Sequence, residues 1–159
     1  GNKSEMSMGY ATLYGDMCGG FNPLKDVYKT TAFALARWRN QHPEPWMKGP
    51  EHPIPDGIIS RPPTAELKPD QTDEEALGAY EVLDVVLKLL VEDLCDVDDA
   101  RLRASRILGR DVAPAYVGRI AALLKNAEYK RRQAPPGIKL TARAFGKGWR
   151  YPITNHAAL

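Results

Sequence analysis

The first thirty residues bring together a lysine, a carboxylate and several glycines in a polar, turn-rich segment, GNKSEMSMGYATLYGDMCGGFNPLKDVYKT. Glycine-rich segments that lead into a helix are typical of phosphate and nucleotide sites, because free backbone N–H groups and the helix dipole attract anions there. The segment opens without a Met and without a strand-forming run before Gly1. We therefore expect it to form half of an active site.

Lys29 is the first residue of this segment to which we assign chemistry. It falls in the first turn of a helix that we predict to run to about Asn40, with Asp26 as its N-cap. A cation there opposes the helix dipole, whereas a bound phosphate would be attracted by both the helix and the lysine. The alternative is a solvent-exposed lysine that tolerates a small penalty.

Two further residues are candidates for ligand contacts. Glu5, beside Lys3 and Ser4, is suited to a metal ion or a ribose, and the alternative is a solvated loop carboxylate. Thr64 follows a double proline that stiffens its loop, so that its hydroxyl and N–H could meet a phosphate. The alternative for Thr64 is an ordinary helix or turn cap.

The C-terminal part carries a basic cluster, Glu128-Tyr129-Lys130-Arg131-Arg132-Gln133. Three cations beside an aromatic ring suit a phosphate or a nucleotide, and they equally suit a solvated helix end. The wider charge is split, with twelve acids and two bases over residues 66–99 and eight bases and one acid over residues 125–150. These segments form either two solvated faces that attract each other or a basic surface for an anionic ligand.

Composition excludes several classes of protein. The 159 residues suit one domain or a large piece of one, and the 43% apolar content is enough for a core. Cys18 and Cys95 are the two cysteines, which is too few for a disulfide scaffold or a cysteine metal site. No apolar run approaches the roughly 20 residues of a membrane span. We expect a cytoplasmic location and no membrane partner.

The elements that position these residues are predicted to be mainly helical, with no strong β-strand. Beyond the helix after Asp26, with a face of Val27, Thr30, Ala34, Leu35 and Trp38, we predict a short helix near residues 4–10 and a Pro-rich surface loop over residues 43–55. A capping box of Thr72 and Glu75 precedes the helix with the clearest apolar face. Its face is Leu77, Tyr80, Leu83, Leu87, Leu90 and Val91.

Two more helices are predicted over residues 97–108 and 112–125, followed by an extended basic tail from Gln133. Gly109 is expected to stop the first of these helices, and Asp111 to cap the second. The apolar face of the second comprises Val112, Tyr116, Val117, Ile120, Leu123 and Leu124.

The order and spacing of these motifs resemble NAD synthetase, in its glutamine-dependent branch. The matching stretches are Gly1-Asn2-Lys3-Ser4-Glu5, Tyr14-Gly15-Asp16, Lys29-Thr30, Arg61-Pro62-Pro63-Thr64-Ala65-Glu66-Leu67, Pro69-Asp70-Gln71-Thr72-Asp73-Glu74-Glu75, Glu128-Tyr129-Lys130-Arg131-Arg132-Gln133, Arg143-Ala144-Phe145-Gly146 and Arg150-Tyr151-Pro152-Ile153-Thr154. The resemblance implies an enzyme that adenylates deamido-NAD with ATP, releases pyrophosphate, and lets ammonia attack the adenylate to give NAD and AMP.

The resemblance also implies roles for single residues. Lys29 and Thr64 match ATP-phosphate contacts. Glu5 matches a position that binds Mg²⁺ in ammonia-using members and deamido-NAD in glutamine-using ones. Tyr129 and Lys130 match a C-terminal segment that closes over deamido-NAD. Where smaller members have a lysine just before Tyr-Gly-Asp, this chain has Leu13, so it lacks the counterpart of that substrate contact.

The implied fold class is α/β, an adenine nucleotide α-hydrolase-like (ATP pyrophosphatase) domain of which residues 1–159 are the mainly helical C-terminal part. The family's Ser-Gly-Gly-x-Asp-Ser type ATP loop and its glutaminase domain have no counterpart in these residues. We therefore expect the chain to be inactive without an N-terminal part of the same enzyme. The resemblance further implies ammonia or glutamine as a substrate and a homo-oligomer, at least a dimer.

Two alternatives remain at this point. One is a helical module that binds a polyanion through the basic tail, which leaves the first thirty residues unexplained, so that a nucleic-acid partner is not expected. The other is a related adenylating amidotransferase with a different acid substrate.

Overall fold

The computed structural model of the chain describes residues 1–15, 17–60 and 78–154. In chain order, the helices of these residues are α1 (Lys3–Met8), α2 (Lys29–Gln41), α3 (Asp56–Ser60), α4 (Tyr80–Val91), α5 (Val97–Leu108), α6 (Pro114–Asn126) and α7 (Glu128–Gln133). The described part of the chain contains no strand, and its one isolated β-bridge joins Phe145 and Trp149. The mainly helical character predicted from the sequence is thus present.

The core lies where α4, α5 and α6 pack together. The predicted apolar face of α4 is buried from Tyr80 onward, while that of α6 is buried except at Tyr116 and Leu123, which are partly buried. Helix α5 contributes small residues that allow close helix approach. The buried side chains are Tyr80, Leu83, Leu87, Leu90 and Val91 of α4, Ala100 and Ala104 of α5, and Val117, Ile120 and Leu124 of α6. Leu77 and the predicted capping box of Thr72 and Glu75 lie outside the described residues.

The predicted helix over residues 97–108 has the bounds that the sequence indicates. Asp96 caps it by accepting a hydrogen bond from the Asp99 N–H at 2.8 Å, and Gly109 ends it in the left-handed region at φ 64°. The predicted cap of the next helix is wrong. Helix α6 begins at Pro114 behind Ala113, whereas Asp111 lies outside the helix and pairs with Arg101 at 3.3 Å.

Helix α2 differs from its prediction at its start and on its face. Its N-cap is Tyr28 rather than Asp26, and Asp26 is buried and bound to other groups. Of the predicted apolar face, Leu35 is 50% and Trp38 is 44% exposed. Periodicity shows which residues share a face, but it does not show whether a neighbouring element covers that face.

Helix α7 holds the beginning of the chain in place. Arg131 of α7 is buried and donates hydrogen bonds to the carbonyls of Met6 and Ser7 at the end of α1, at 3.4 and 3.2 Å. Its guanidinium also pairs with Glu128 at 3.0 Å. Cations are favoured at a helix C-terminus, so α7 stabilises the end of α1.

Two predicted irregular regions lie outside helices. Residues 43–55 connect α2 and α3, and residues 134–154 follow α7. Among the described residues, none of the helices is long and apolar enough to cross a membrane.

Candidate functional site

Glu5 and Lys29, which the sequence singled out separately, form one ion pair. The Lys29 Nζ lies 2.8 Å from the Glu5 Oε1, and the two side chains are 18% and 20% exposed. The capping box of α1 positions Glu5, because the Asn2 side chain accepts from the Glu5 N–H while the Glu5 Oε2 accepts from the Asn2 N–H at 2.9 Å. The pair is therefore held at the start of two helices and stays within reach of solvent.

Fewer backbone N–H groups are available to an anion at the start of α2 than the sequence indicated. The Lys29 N–H donates to the Ser4 Oγ at 2.9 Å, and the Thr30 N–H donates to the Asp84 Oδ2 at 2.8 Å. These two amides are among those that a phosphate at a helix N-terminus uses. The charged group that can meet an anion at this helix start is the Lys29 ammonium.

Two aromatic rings border that ammonium. The Lys29 Nζ lies 5.4 Å from the centre of the Tyr80 ring and 5.7 Å from that of the Phe33 ring. Rings at these distances attract a cation and limit its access to water. A positive charge in such surroundings binds phosphate oxygens more strongly than an ammonium in bulk water does.

Lys130 and Tyr129, the other predicted contacts, lie on α7. The Lys130 ammonium donates to the carbonyls of Gly9 and Ala11 at 2.6 and 3.2 Å, and the Tyr129 side chain is exposed. Lys130 thus anchors the start of the loop in which Leu13 is exposed. The geometry connects α7 to this loop and does not place Lys130 beside the Glu5–Lys29 pair.

Most cations of residues 125–150 bind other groups of the protein. Beyond Lys130 and Arg131, Arg132 pairs with Glu128 at 2.7 Å, Lys139 donates to the carbonyl of Thr141 at 2.6 Å, and Arg143 donates to the carbonyl of Glu92. Five of the eight bases over residues 125–150 are therefore engaged in internal contacts. A polyanion would have to compete with these contacts. The cations of residues 125–150 therefore mainly join parts of the protein to one another and do not form an open basic surface.

Sequence reasoning missed a buried cluster around Lys3. The Lys3 side chain is 0% exposed, and its ammonium lies 2.8 Å from the Asp26 Oδ1 and donates to Glu92. It also donates to the Thr141 Oγ1 at 2.6 Å and to the Arg143 carbonyl at 2.7 Å. The only signal in the sequence was a lysine in the first turn of α1, which by itself indicates a solvated side chain.

The cluster lowers the pKa of both its carboxyl groups. Burial alone raises the pKa of Asp26, but hydrogen bonds from Lys3, from the Thr141 and Leu140 N–H groups and from the Thr141 hydroxyl outweigh burial and bring it below its usual value. Glu92 behaves in the same way, since bonds from Lys3 and the Arg143 N–H outweigh its burial and lower its pKa. Asp26 therefore stabilises the fold instead of capping α2.

The structure bears on the remaining predictions only in part. Thr64 lies outside the described residues. The described residues contain no group of three or more His, Cys, Asp or Glu side chains that could hold a metal ion. The assignment of Glu5 to Mg²⁺ or to deamido-NAD stays a prediction.

Comparison with known proteins identifies relatives of the chain. A family model described as NAD synthase matches residues 1–134. The chain is 49% identical over 156 residues to the glutamine-dependent NAD(+) synthetase of Rhodobacter capsulatus, covering 98% of this chain and 27% of that protein. It is 50% identical over 155 residues to the enzyme of the same description from Thermotoga maritima, covering 98% and 25%.

A solved structure shows the same fold at lower identity. The glutamine-dependent NAD(+) synthetase from Cytophaga hutchinsonii superposes with a TM-score of 0.71 at 19% sequence identity, over 98% of this chain and 24% of that one. The chain spans about a quarter of the length of the curated relatives it matches. Because the family model covers most of its residues, the chain belongs to the NAD synthase family.

Proposed function

We propose that the chain is part of a glutamine-dependent NAD synthetase and supplies phosphate and substrate contacts to its synthetase site. The observation that carries the proposal is the match of the family model to residues 1–134, which include both Glu5 and Lys29. In this reaction a carboxylate oxygen of deamido-NAD attacks the α-phosphorus of ATP, and pyrophosphate leaves. Ammonia then attacks the acyl carbon, and AMP leaves as NAD forms.

The Glu5–Lys29 pair suits this chemistry because adenylyl transfer needs fixed positive charge, not a protein nucleophile. Lys29 would bind phosphate oxygens of ATP and stabilise the negative charge of the leaving pyrophosphate. Glu5 would then exchange Lys29 for a Mg²⁺ ion or for a donor on deamido-NAD. A bound Mg²⁺ would supply further positive charge to the phosphates.

Other residues have proposed roles that rest on the family resemblance. Thr64 would contact the ATP phosphates, and Tyr129 would lie against deamido-NAD. Lys130 would hold the loop after α1 closed while its remaining N–H faces deamido-NAD. The finer fold assignment, an adenine nucleotide α-hydrolase-like domain completed by the rest of the polypeptide, belongs to the same proposal. So do the homo-oligomer and the cytoplasmic location.

A chimera tests the proposal. The matching segment of the Thermotoga maritima enzyme, which is 50% identical, is replaced by this chain, and ATP-dependent formation of NAD from deamido-NAD is assayed with glutamine and with ammonia. We expect an active chimera, and a Lys29→Ala variant whose turnover falls by about 100-fold or more, the usual cost of removing one donor that stabilises transition-state charge.

Lys147→Ala is the matched control, because Lys147 is an exposed lysine in the same chain. We expect it to leave turnover unchanged. A chimera that folds but makes no NAD would contradict the proposed function, and full turnover in Lys29→Ala would remove Lys29 from the site. Replacing deamido-NAD by other nucleotide-linked acids tests for a different acid substrate.

A further inference from the structure

Asp84 is a buried residue that binds both of the helices on which Glu5 and Lys29 lie. It is on α4 and is 1% exposed. Its Oδ1 accepts a hydrogen bond from the Ser4 hydroxyl at 2.5 Å, and its Oδ2 accepts from the Thr30 N–H at 2.8 Å and from the Thr30 hydroxyl at 2.7 Å. Each of its two oxygens is therefore bound to a different helix.

The residues that Asp84 holds are the chain neighbours of the pair. Ser4 precedes Glu5 on α1, and Thr30 follows Lys29 on α2. Ser4 strengthens the link, since its Oγ also accepts from the Lys29 N–H at 2.9 Å. A carboxylate in the interior costs free energy unless its oxygens are bound, and here both are bound by groups that position the pair.

We propose that Asp84 is a positioning residue of this site, which sets the separation of Glu5 and Lys29 without touching the ligand. The inference rests on the proposed function for its effect on turnover, but its geometric part is independent of that function. Phosphate chemistry is sensitive to placement, because displacement of a charged group by about 1 Å costs up to about 100-fold in rate.

Helix α4 supports the assignment by a second contact. Tyr80, one turn before Asp84, is buried and places its ring 5.4 Å from the Lys29 ammonium. One face of α4 thus fixes the backbone at the start of α2 through Asp84 and borders the Lys29 side chain through Tyr80.

The geometric test is made on the 159-residue chain by NMR. The scalar coupling across the hydrogen bond between the Lys29 ammonium nitrogen and the Glu5 carboxyl carbon is measured in the native chain and in Asp84→Asn. An Asn at this position has nearly the same shape, but it presents an NH₂ donor or a weaker acceptor to three donors. We expect the coupling to be observed in the native chain and lost in Asp84→Asn.

Asn40→Ala is the matched control, because Asn40 is a buried polar residue at the other end of α2. It binds the backbone of Ile54 at 2.7 and 3.2 Å, so its loss destabilises the chain without reaching the pair. We expect it to keep the coupling. If Asp84→Asn does not fold, Thr30→Val removes one of the three bonds and should weaken the coupling.

The kinetic test uses the chimera described above. With Asp84→Asn we expect kcat to fall by about 10- to 100-fold at a temperature where the variant is folded, while Asn40→Ala keeps the native kcat. Coupling retained in Asp84→Asn, or coupling lost with kcat unchanged, would overturn the proposal. A chimera inactive with native Asp84 contradicts the proposed function instead, and the coupling then decides the geometric inference by itself.

Discussion

Lys3 and Lys29 are both paired with carboxylates near the start of the fold, yet their surroundings are opposite. Lys3 is 0% exposed and contacts oxygens of Asp26, Glu92, Thr141 and Arg143. Lys29 is 18% exposed and pairs with Glu5 at 2.8 Å. The first lysine has its hydrogen bonds satisfied inside the protein, whereas the second can exchange its partner for a ligand.

Burial and the number of internal partners separate a structural lysine from a binding one. Burial of charge is tolerated only where the partners are complete, so a saturated buried cluster indicates a role in the fold. The Glu5–Lys29 pair is 18% and 20% exposed and has fewer internal partners, so we expect it to add less to stability than the Lys3 cluster and to be available for chemistry. We therefore expect changes at Lys3 to reduce stability more than changes at Lys29, and changes at Lys29 to reduce activity more directly.

The largest effect on stability is expected from Lys3→Met. The substitution keeps most of the side-chain volume and leaves Asp26 and Glu92 in the interior without their cation. Removing one partner of a buried ion pair typically costs about 3–5 kcal/mol. Urea unfolding followed by circular dichroism measures the loss.

Lys29→Met is the control for that experiment. We expect it to change the free energy of unfolding by less than about 1 kcal/mol, as is usual for partly exposed pairs. Equal losses in the two variants would remove the distinction between the two lysines.

A smaller effect on the free energy of unfolding is expected when the pH is lowered. Since the pKa values of Asp26 and Glu92 are lowered in the folded chain from their ordinary values of 3.8 and 4.5, the unfolded chain binds more protons between the unfolded and folded values. Stability from the cluster is thus complete above about pH 5 and is lost as the pH falls below 4.5 and then below 3.8.

Unfolding free energies measured from pH 7 to pH 2.5 at constant ionic strength test this acid dependence. Asp26→Asn removes one titrating group of the cluster, so its stability should fall less steeply below pH 3.8 than that of the native chain. Parallel curves would show that Asp26 does not contribute to the acid dependence.

The smallest effect on stability is expected from Glu5→Gln. A glutamine at this position still accepts the Asn2 N–H in the capping box, so only the ion pair with Lys29 is lost. We expect a change of less than about 0.5 kcal/mol that shrinks further in 0.5 M salt, because salt screens exposed charges. A loss comparable with that of Lys3→Met would make Glu5 a structural residue.

The predictions from sequence succeeded where the determining groups are local. The helix over residues 97–108 was located correctly because Asp96 and Gly109 form its two ends within the same short stretch. Asp26 has the sequence context of an N-cap, but Lys3 and the backbone at residues 140–141 compete for its carboxylate. Helix α2 is instead capped from Ser4 and Asp84, which no local pattern can indicate.

In the candidate site, too, sequence reasoning found the residues but not their distant partners. The resemblance singled out Glu5 and Lys29, and the structure adds that they bind each other. Lys3 and Asp84 were not assigned roles, because their partners come from distant parts of the chain. Burial of a charged residue depends on tertiary packing, and neither composition nor spacing shows it.

The contacts of α7 with α1 have a consequence for the order of folding. Arg131 and Lys130 bind carbonyls more than a hundred residues earlier in the chain, at Met6, Ser7, Gly9 and Ala11. Closing so long a loop is slow compared with forming the local α4–α6 packing. On a ribosome, the helix that carries Glu5 would be made before α4–α7 and would receive its final support only after residue 131 had emerged.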